Sequence, residues 1–258
     1  MKTTITSIAF IVIAGVILSA YIMNSNKGAE PVVLSENAQR SADEFSKPIA
    51  SDFLEARPEI AVLPKQDISA SEKAALLQMR EEEKLAHDVY TTLGTVWGVQ
   101  VFANIAQSEQ THTEAMRALL EKYAIADPST SDEVGVYANP AFTKLYNDLV
   151  AKGKVSIEEG LTVGALIEDL DIADLEKFIK ETDNEDIKLV YGNLTRASRN
   201  HLRSFTAQLS VRGLEYVPTY ISAEEYKSII STPKEVGTGV GHQGGQGGGR
   251  GNGMGAGI

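Results

Sequence analysis

The sequence predicts an all-α protein built on an antiparallel bundle of four long helices, with a long crossover between the second and third. Apolar residues recur at helical spacing over about residues 70–213, and no segment reads as a convincing strand. The breaks between helices are also informative, because a short turn follows the first helix and a long connection precedes the third. Short turns make neighbouring helices antiparallel, whereas a long connection can cross the bundle.

The helices follow one another along this middle stretch. The first two long helices are predicted over about 70–95 and 99–124, and a short helix over about 140–152 lies within the long connection. Two further long helices are predicted over about 156–180 and 182–212, and a last short helix follows from Ser222 to about Ile230. Pairs of Ser or Thr with Glu three residues later predict capping boxes at three of the starts: Ser69–Glu72, Ser156–Glu159 and Thr182–Glu185.

The N-terminal segment 1–23 contains an uncharged, mostly apolar run over residues 5–23. Its length is close to the roughly 20 residues that span a bilayer, so we expect a membrane anchor. A cleaved signal peptide is the alternative, although Ser19 and Ala20 offer a poor cleavage site, and a buried core helix is a third reading. Both leading interpretations place the rest of the chain outside the cytoplasm, either membrane-anchored or secreted.

The remaining segments differ in composition. Residues 24–68 are polar and contain several prolines, which is typical of a linker. Residues 69–230 are predicted to form the helical bundle, and residues 231–258 a disordered tail dominated by glycine. The chain therefore has one predicted folded domain.

Charge and composition exclude several classes of function. The net charge of −11 and pI of about 4.9 do not resemble a basic nucleic-acid-binding surface, so no nucleic-acid partner is expected. The absence of cysteine excludes disulfides, thiolate zinc sites, iron–sulfur clusters and cysteine nucleophiles. Any metal must be held by carboxylates and imidazoles, which suit iron, manganese or zinc.

The strongest chemical motif is an E-x-x-H unit in the second long helix, formed by Glu109 and His112. Residues three apart share a helix face, and helical bundles use this spacing to present a carboxylate and an imidazole to a pair of metal ions. The alternative is that both residues lie on a solvated face. In the first helix, Glu83 shares a near-core face with His87 and Tyr90, whereas Glu81 and Glu82 are expected to be solvated.

The third and fourth long helices add further candidates. Glu168 and Asp171 lie three residues apart beside an apolar stripe, whereas Asp169 and Asp174 are expected to face water. His201 lies close to the inner stripe of the fourth helix. A hydrogen-bonded core histidine is the alternative there, but polar groups at mid-length on four helices favour a metal site.

The chain from Ser69 to about Ile230 resembles the ferritin-like family catalogued as domain of unknown function 2202. A wider similarity is to rubrerythrin-like and ferritin-like di-iron carboxylate proteins, and it implies a ferritin-like four-helix bundle. The segments that carry the resemblance are EEEKLAHDVY (81–90), SEQTHTEAM (108–116), IEDLDIADL (167–175), SRNHLRSF (198–205) and YISAEEY (220–226).

This resemblance implies a set of metal ligands with one departure. Ser198 stands three residues before His201, where the pattern has a glutamate, so the resemblance leaves open whether one or two metal ions bind. Asp171 is a candidate to compensate. The implied ligands are Glu83, Glu109, His112, Glu168 and His201, with Asp171, His87, Tyr90 and Ser198 as additional candidates.

The expected function is binding of mononuclear or dinuclear iron, with manganese or zinc as alternatives, and redox activity of the oxidase or peroxidase type. An enzyme of this kind would be a metal-dependent oxidoreductase. It would need an external electron donor, because the cysteine module of rubrerythrins is missing. The alternative is a metal-free, membrane-tethered binding or structural bundle, in which Arg196, Arg199 and Arg203 pair with the carboxylates. Homo-oligomerisation is left open.

Overall fold

The computed structural model describes residues 60, 62–129 and 131–236, and this part of the chain is all-helical, as predicted. No strand occurs among these residues, and six helices succeed one another. They are α1 (Ala70–Trp97), α2 (Gln100–Lys122), α3 (Pro140–Gly153), α4 (Ile157–Glu181), α5 (Glu185–Val211) and α6 (Ala223–Ser231).

Both ends of α1 are fixed by interactions between residues that are close in sequence. The Ser69 side chain accepts from the Glu72 N–H, and the Glu72 carboxylate accepts from the Ser69 N–H at 2.8 Å, which completes the predicted capping box. At the other end Gly98 adopts φ +65°, a left-handed conformation that favours glycine, and its N–H donates to the Gly94 carbonyl at 2.9 Å. The short turn to α2 follows directly.

The capping box predicted at Thr182 and Glu185 is wrong. Thr182 ends α4, and α5 starts after Asn184, which makes no side-chain capping bond. The Thr182 hydroxyl donates to the Glu72 carboxylate, and the Asn184 amide donates to the same carboxylate at 2.9 Å. Both side chains therefore tie the α4–α5 turn to the start of α1, and a Gln66 amide oxygen accepts from the first N–H of α5 at 2.8 Å.

The four long helices pack as neighbours, with α1 against α2, α4 against α5, and additional contacts of α1 with α4 and of α2 with α5. Their apolar residues form two clusters. One contains Leu93, Phe102 and Phe205, and the other contains Met79 and Leu119. Along α1, α2 and α5 a stretch of buried polar residues separates the two clusters, and in α4 the buried acids Glu168, Asp169 and Asp171 lie among residues of the first cluster. The fold thus builds a polar layer at mid-length between two apolar layers.

The segments around the four helices are partly packed against them. Lys122 donates to the carbonyls of Ile60 and Leu63 at 2.8 Å each, so the described end of the predicted linker contacts α2. No helix in the described part of the chain has the length and apolar character needed to cross a bilayer. The predicted anchor or signal segment 1–23 and the glycine-rich stretch 237–258 lie outside the described residues.

Candidate metal centre

Four helices direct carboxylates and imidazoles into the polar layer. The structure brings together all five principal residues predicted from the sequence, and each is at most 6% exposed. They form two groups of three, within each of which the ligand atoms lie within 4.8 Å of one another. The groups are Glu83, Glu109 and His112, and Glu109, Glu168 and His201.

Glu109 occupies the middle of this arrangement and belongs to both groups. Its Oε2 atom lies 2.7 Å from His112 Nδ1, and its Oε1 atom lies 2.8 Å from His201 Nδ1. Glu83 Oε2 approaches His112 Nδ1 at 3.3 Å, and Glu168 Oε2 approaches His201 Nδ1 at 3.4 Å. The two imidazole rings are stacked, with centroids 5.6 Å apart. One carboxylate thus faces both histidines, and each histidine has a second carboxylate of its own.

Several atoms of this cluster lack hydrogen bonds although they are buried. Glu83 Oε1 and Glu168 Oε2 have no hydrogen-bond partner in the described structure. Glu109 Oε1 and His201 Nδ1 are close to each other but likewise make no bond of suitable direction. Unpaired buried carboxylate oxygens are costly, typically by about 1–3 kcal/mol or more each. Oxygen and imidazole donors left free in this way fit a divalent ion such as iron, manganese or zinc.

The electrostatics show how the cluster balances its charges with protons. Burial raises the pKa of the Glu83 carboxyl to about 8, although His112 acts in the opposite direction. Burial also opposes ionisation of Glu109, but the charges of His112 and His201 hold its pKa well below the ordinary value. Burial lowers the pKa of His201 while the carboxylates of Glu109 and Glu168 raise it, and the net result is about 9. Protons therefore occupy positions that a cation can take over.

Tyr90 fixes one of the carboxylates from outside the cluster. Its hydroxyl donates to Glu168 Oε1 at 2.6 Å and lies 3.3 Å from the Gly164 carbonyl oxygen. The Tyr90 ring packs against the Phe205 ring, with centroids 5.2 Å apart. Phe205 fits there because residue 164 is glycine, since a Cβ atom would lie 2.5 Å from the Phe205 ring. The sequence analysis gives Tyr90 as an additional ligand candidate, and the structure places its hydroxyl on a carboxylate of the cluster.

Sequence reasoning missed Ser108. Its hydroxyl lies 3.4 Å from His112 Nε2, which is the ring nitrogen on the side away from Glu109. A contact on the second nitrogen orients the ring and helps to fix its tautomer. The available signal was a serine four residues before the histidine, on the same helix face.

The additional ligand candidates differ in position. Asp171 is buried, and Glu83 and Glu168 are among the charges that raise its pKa well above the ordinary value after burial itself, but it belongs to neither group of three. His87 Nδ1 instead lies 3.0 Å from the Asp88 carboxylate. The Ser198 hydroxyl donates to the Leu194 carbonyl of its own helix at 3.1 Å.

Three acids that were expected to face water are buried. Glu81 and Glu82 are each 6% exposed, because the crossover and α4 cover this part of α1. Asp169 is fully buried and accepts hydrogen bonds from the segment after α5. Its donors are the Tyr216 hydroxyl and the N–H groups of Thr219, Tyr220 and Ile221. Asp169 therefore anchors that segment to α4.

The arginines of α5 do not neutralise the site carboxylates. Arg199 and Arg203 both form ion pairs with Glu235, and Arg203 also donates to the Ile229 carbonyl at 2.8 Å. In the part of the chain that the structure describes, the ion pairs of Glu83, Glu109 and Glu168 are with histidines. These contacts disfavour the arginine network considered as an alternative to metal.

Comparisons with known proteins agree with one another. Residues 72–233 match the family described as "Uncharacterized protein domain (DUF2202)". Uncharacterized protein MJ0754 of Methanocaldococcus jannaschii is 58% identical over 178 residues, which cover 69% of this chain and 96% of that protein. The crystal structure of hypothetical protein MJ0754 is similar with a TM-score of 0.66 and 59% identity, over 67% of this chain and 99% of that chain.

Proposed function

The chain belongs to the DUF2202 family, and we propose that it is a ferritin-like protein whose bundle binds two metal ions, with iron as the metal. One observation carries the proposal. Glu109 presents one carboxylate oxygen to each of two histidines, at 2.7 and 2.8 Å, in a layer buried from water. A carboxylate placed in this way can bridge two ions, which is how helical bundles build carboxylate–histidine metal pairs.

Each ion has its own ligands beside the shared carboxylate. Glu83 and His112 would hold the first ion, and Glu168 and His201 would hold the second. In both histidines the Nδ1 atom faces the carboxylates, and this leaves Nε2 of His112 to Ser108. Manganese or zinc would suit the same oxygen and nitrogen donors.

Ser198 stands three residues before His201, where the di-iron pattern has a second bridging glutamate. A second E-x-x-H unit would have supplied another bridging carboxylate, but the Ser198 hydroxyl is occupied by its own helix. The chain therefore offers fewer ligands than a symmetric pair would have, and bound ions would keep positions for water or a small oxidant. Asp171, three residues after Glu168 on α4, is a further buried acid, and after burial itself the charges of Glu83 and Glu168 raise its pKa most.

Bound iron would supply one-electron chemistry toward oxygen or peroxide. The chain holds the ligands in place, and the apolar clusters on both sides limit access of water. The Tyr90 hydroxyl keeps one oxygen of Glu168 engaged and so orients the other toward His201. We propose an extracytoplasmic oxidoreductase that takes electrons from an external donor and is attached to the membrane by residues 1–23.

The test is metal analysis of the full chain purified in detergent. We expect about two equivalents of ferrous iron to bind without oxygen, Glu109→Ala to lose both, and His112→Ala to lose one, because His112 belongs to only one group of ligand atoms. Iron oxidation on admission of oxygen, or peroxide consumption with a chemical reductant, would test the redox part. A wild-type chain that binds no metal, and that melts at the same temperature in chelator, would instead favour a metal-free structural bundle.

A further inference from the structure

A second set of acids extends from the proposed centre toward the protein surface. It consists of Asp171 and Glu82, which are buried, and Asp174, which is partly exposed. Glu82 comes from α1 and the other two come from α4. None of the three is among the ligands assigned above.

Helix spacing gives the order in which they lie. On α4 the acids Glu168, Asp171 and Asp174 follow one another at intervals of three residues and so lie along one face of that helix. On α1, Glu82 directly precedes the ligand Glu83. The same neighbours raise the pKa values of the buried acids after burial itself, since Asp174 and Glu83 act on Glu82, and Glu83 and Glu168 act on Asp171. The series therefore begins at Asp174, continues through Glu82 and Asp171, and ends at the ligands Glu83 and Glu168.

Gln78 holds the outer part of the series in place. Its side-chain N–H₂ group donates to Glu82 Oε1 at 2.9 Å and to Asp174 Oδ2 at 3.3 Å. The second oxygen of Glu82, Oε2, is buried and has no hydrogen-bond partner in the described structure. One neutral amide thus fixes two carboxylates and leaves an oxygen of the buried one free.

An independent observation points to a small ligand beside Glu82. The Tyr191 hydroxyl on α5 is buried, with the side chain 1% exposed, and it also has no hydrogen-bond partner among the described residues. After burial itself, the charge of Glu82 contributes most to raising the pKa of this hydroxyl. A free carboxylate oxygen and a free hydroxyl are both costly in the interior. A hydrated cation beside Glu82 would satisfy its free oxygen.

From this geometry we infer that Asp174, Glu82 and Asp171 form the route by which a divalent cation passes from the protein surface to the Glu83–Glu109–His112 group. The inference rests on the proposed metal centre. In the described part of the chain, neither group of closely spaced ligand atoms includes these three acids, so the ions proposed to stay bound have their ligands elsewhere. A lining of one sign of charge raises the local concentration of the opposite ion and its rate of arrival.

The experiment measures how fast the metal-free full chain in detergent takes up Co²⁺, by stopped-flow absorbance of the bound ion. We expect Glu82→Gln to slow uptake by about tenfold or more, since charged clefts typically change on-rates by about 10–1,000-fold. Asp174→Asn should slow it less, because that residue is partly exposed. The final amount of bound Co²⁺ should be unchanged in both. Glu121→Gln, an exposed acid of α2, is the matched control and should behave as wild type.

The outcomes separate the route from the centre. Wild-type uptake rates in both variants would overturn the route and leave the centre standing. Loss of one equivalent of Co²⁺ in Glu82→Gln would make Glu82 a resident ligand and would also overturn the route. A wild-type chain that binds no Co²⁺ overturns the centre and the route together. Circular dichroism checks the fold, and Asp174→Asn decides the matter if Glu82→Gln does not fold.

Discussion

Replacement of Glu109 by glutamine tests the proposed centre most directly, because this one side chain serves both halves of it. Glutamine has nearly the same shape, but it carries no charge and offers one carbonyl oxygen in place of two carboxylate oxygens. It can accept from one histidine only. Both short contacts of Glu109, at 2.7 Å to His112 and 2.8 Å to His201, are thus affected by a single change.

The expected loss of stability in the metal-free chain follows from these contacts. The contact with His112 is a hydrogen bond to a charged group, which contributes about 1.5–3 kcal/mol, and the approach to His201 adds ionic attraction without a hydrogen bond. Part of this is offset, because the Glu109 charge raises the pKa of Glu83 and Glu168 and its removal relieves that repulsion. We therefore expect a loss of about 2 kcal/mol. In a domain of this size that lowers the melting temperature by about 4–8 °C.

The assay counts bound Co²⁺ by equilibrium dialysis in four proteins. We expect about two equivalents in wild type, about one each in His112→Asn and His201→Asn, and close to none in Glu109→Gln. The reason is that each histidine belongs to one group of ligand atoms, whereas Glu109 belongs to both. Saturating metal should raise the melting temperature of wild type, and that increase should disappear in Glu109→Gln.

The control and the refuting result are equally specific. Glu121→Gln removes the same charge from an exposed position of the same helix and should leave both the metal count and the melting temperature unchanged. Two retained equivalents in Glu109→Gln would show that no carboxylate bridge exists. Loss of both equivalents in His112→Asn alone would show that the two groups are not separate sites.

Three further predictions concern the surroundings of the centre. Melting temperatures of the metal-free chain should fall from pH 6 to pH 9. The reason is that the pKa values of Glu83 (about 8) and His201 (about 9) lie above those of the unfolded chain, so the folded chain loses its extra protons over this range. Co²⁺ affinity should rise over the same range, because fewer protons then compete with the ion for its ligands. Tyr90→Phe removes the 2.6 Å bond to Glu168 and should weaken Co²⁺ binding by about 10–100-fold in dialysis. Asp169→Asn should destabilise the fold by about 2–4 kcal/mol in urea melts, without changing the metal count.

Each of these predictions has an outcome that contradicts it. Stability that rises between pH 6 and pH 9 would mean that Glu83 and His201 do not hold extra protons in the folded chain. Unchanged Co²⁺ affinity in Tyr90→Phe would show that the hydroxyl does not position Glu168. Loss of metal in Asp169→Asn at wild-type stability would make that acid part of the centre and not an anchor of the segment after α5.

The helices and the five principal site residues could be predicted because their signals are local. Ser69 with Glu72, and Ser222 before α6, cap helices through neighbours three residues away. The E-x-x-H spacing likewise places Glu109 and His112 on one face of one helix. Glu83, Glu168 and His201 each lie near an apolar stripe, so their inward direction also follows from the helical period. Whether these residues bind metal stays a prediction.

The incorrect predictions concern residues whose contacts in the fold are with residues distant in sequence. Thr182 has the spacing of a helix cap, but its hydroxyl donates to Glu72, which is 110 residues earlier in the chain. Asp169 is a charged residue and was expected to face water, but it accepts three backbone N–H bonds from residues about 50 positions later. Glu82 is buried where α1 packs against the crossover and α4, and Gln78, which donates to Glu82, also donates to Asp174 of α4.

The sequence alone therefore determined the helical class, most helix limits and the inward direction of the five principal acids and imidazoles, because each depends on a periodicity of three to four residues. The tertiary structure decided which carboxylate stands between the two histidines, and it decided which acids anchor a segment and which extend to the surface. Those outcomes depend on how four helices are aligned along their axes, and shifting one helix by a single turn would move its side chains by about 5.4 Å. Such a shift exceeds the 4.8 Å within which each group of ligand atoms lies.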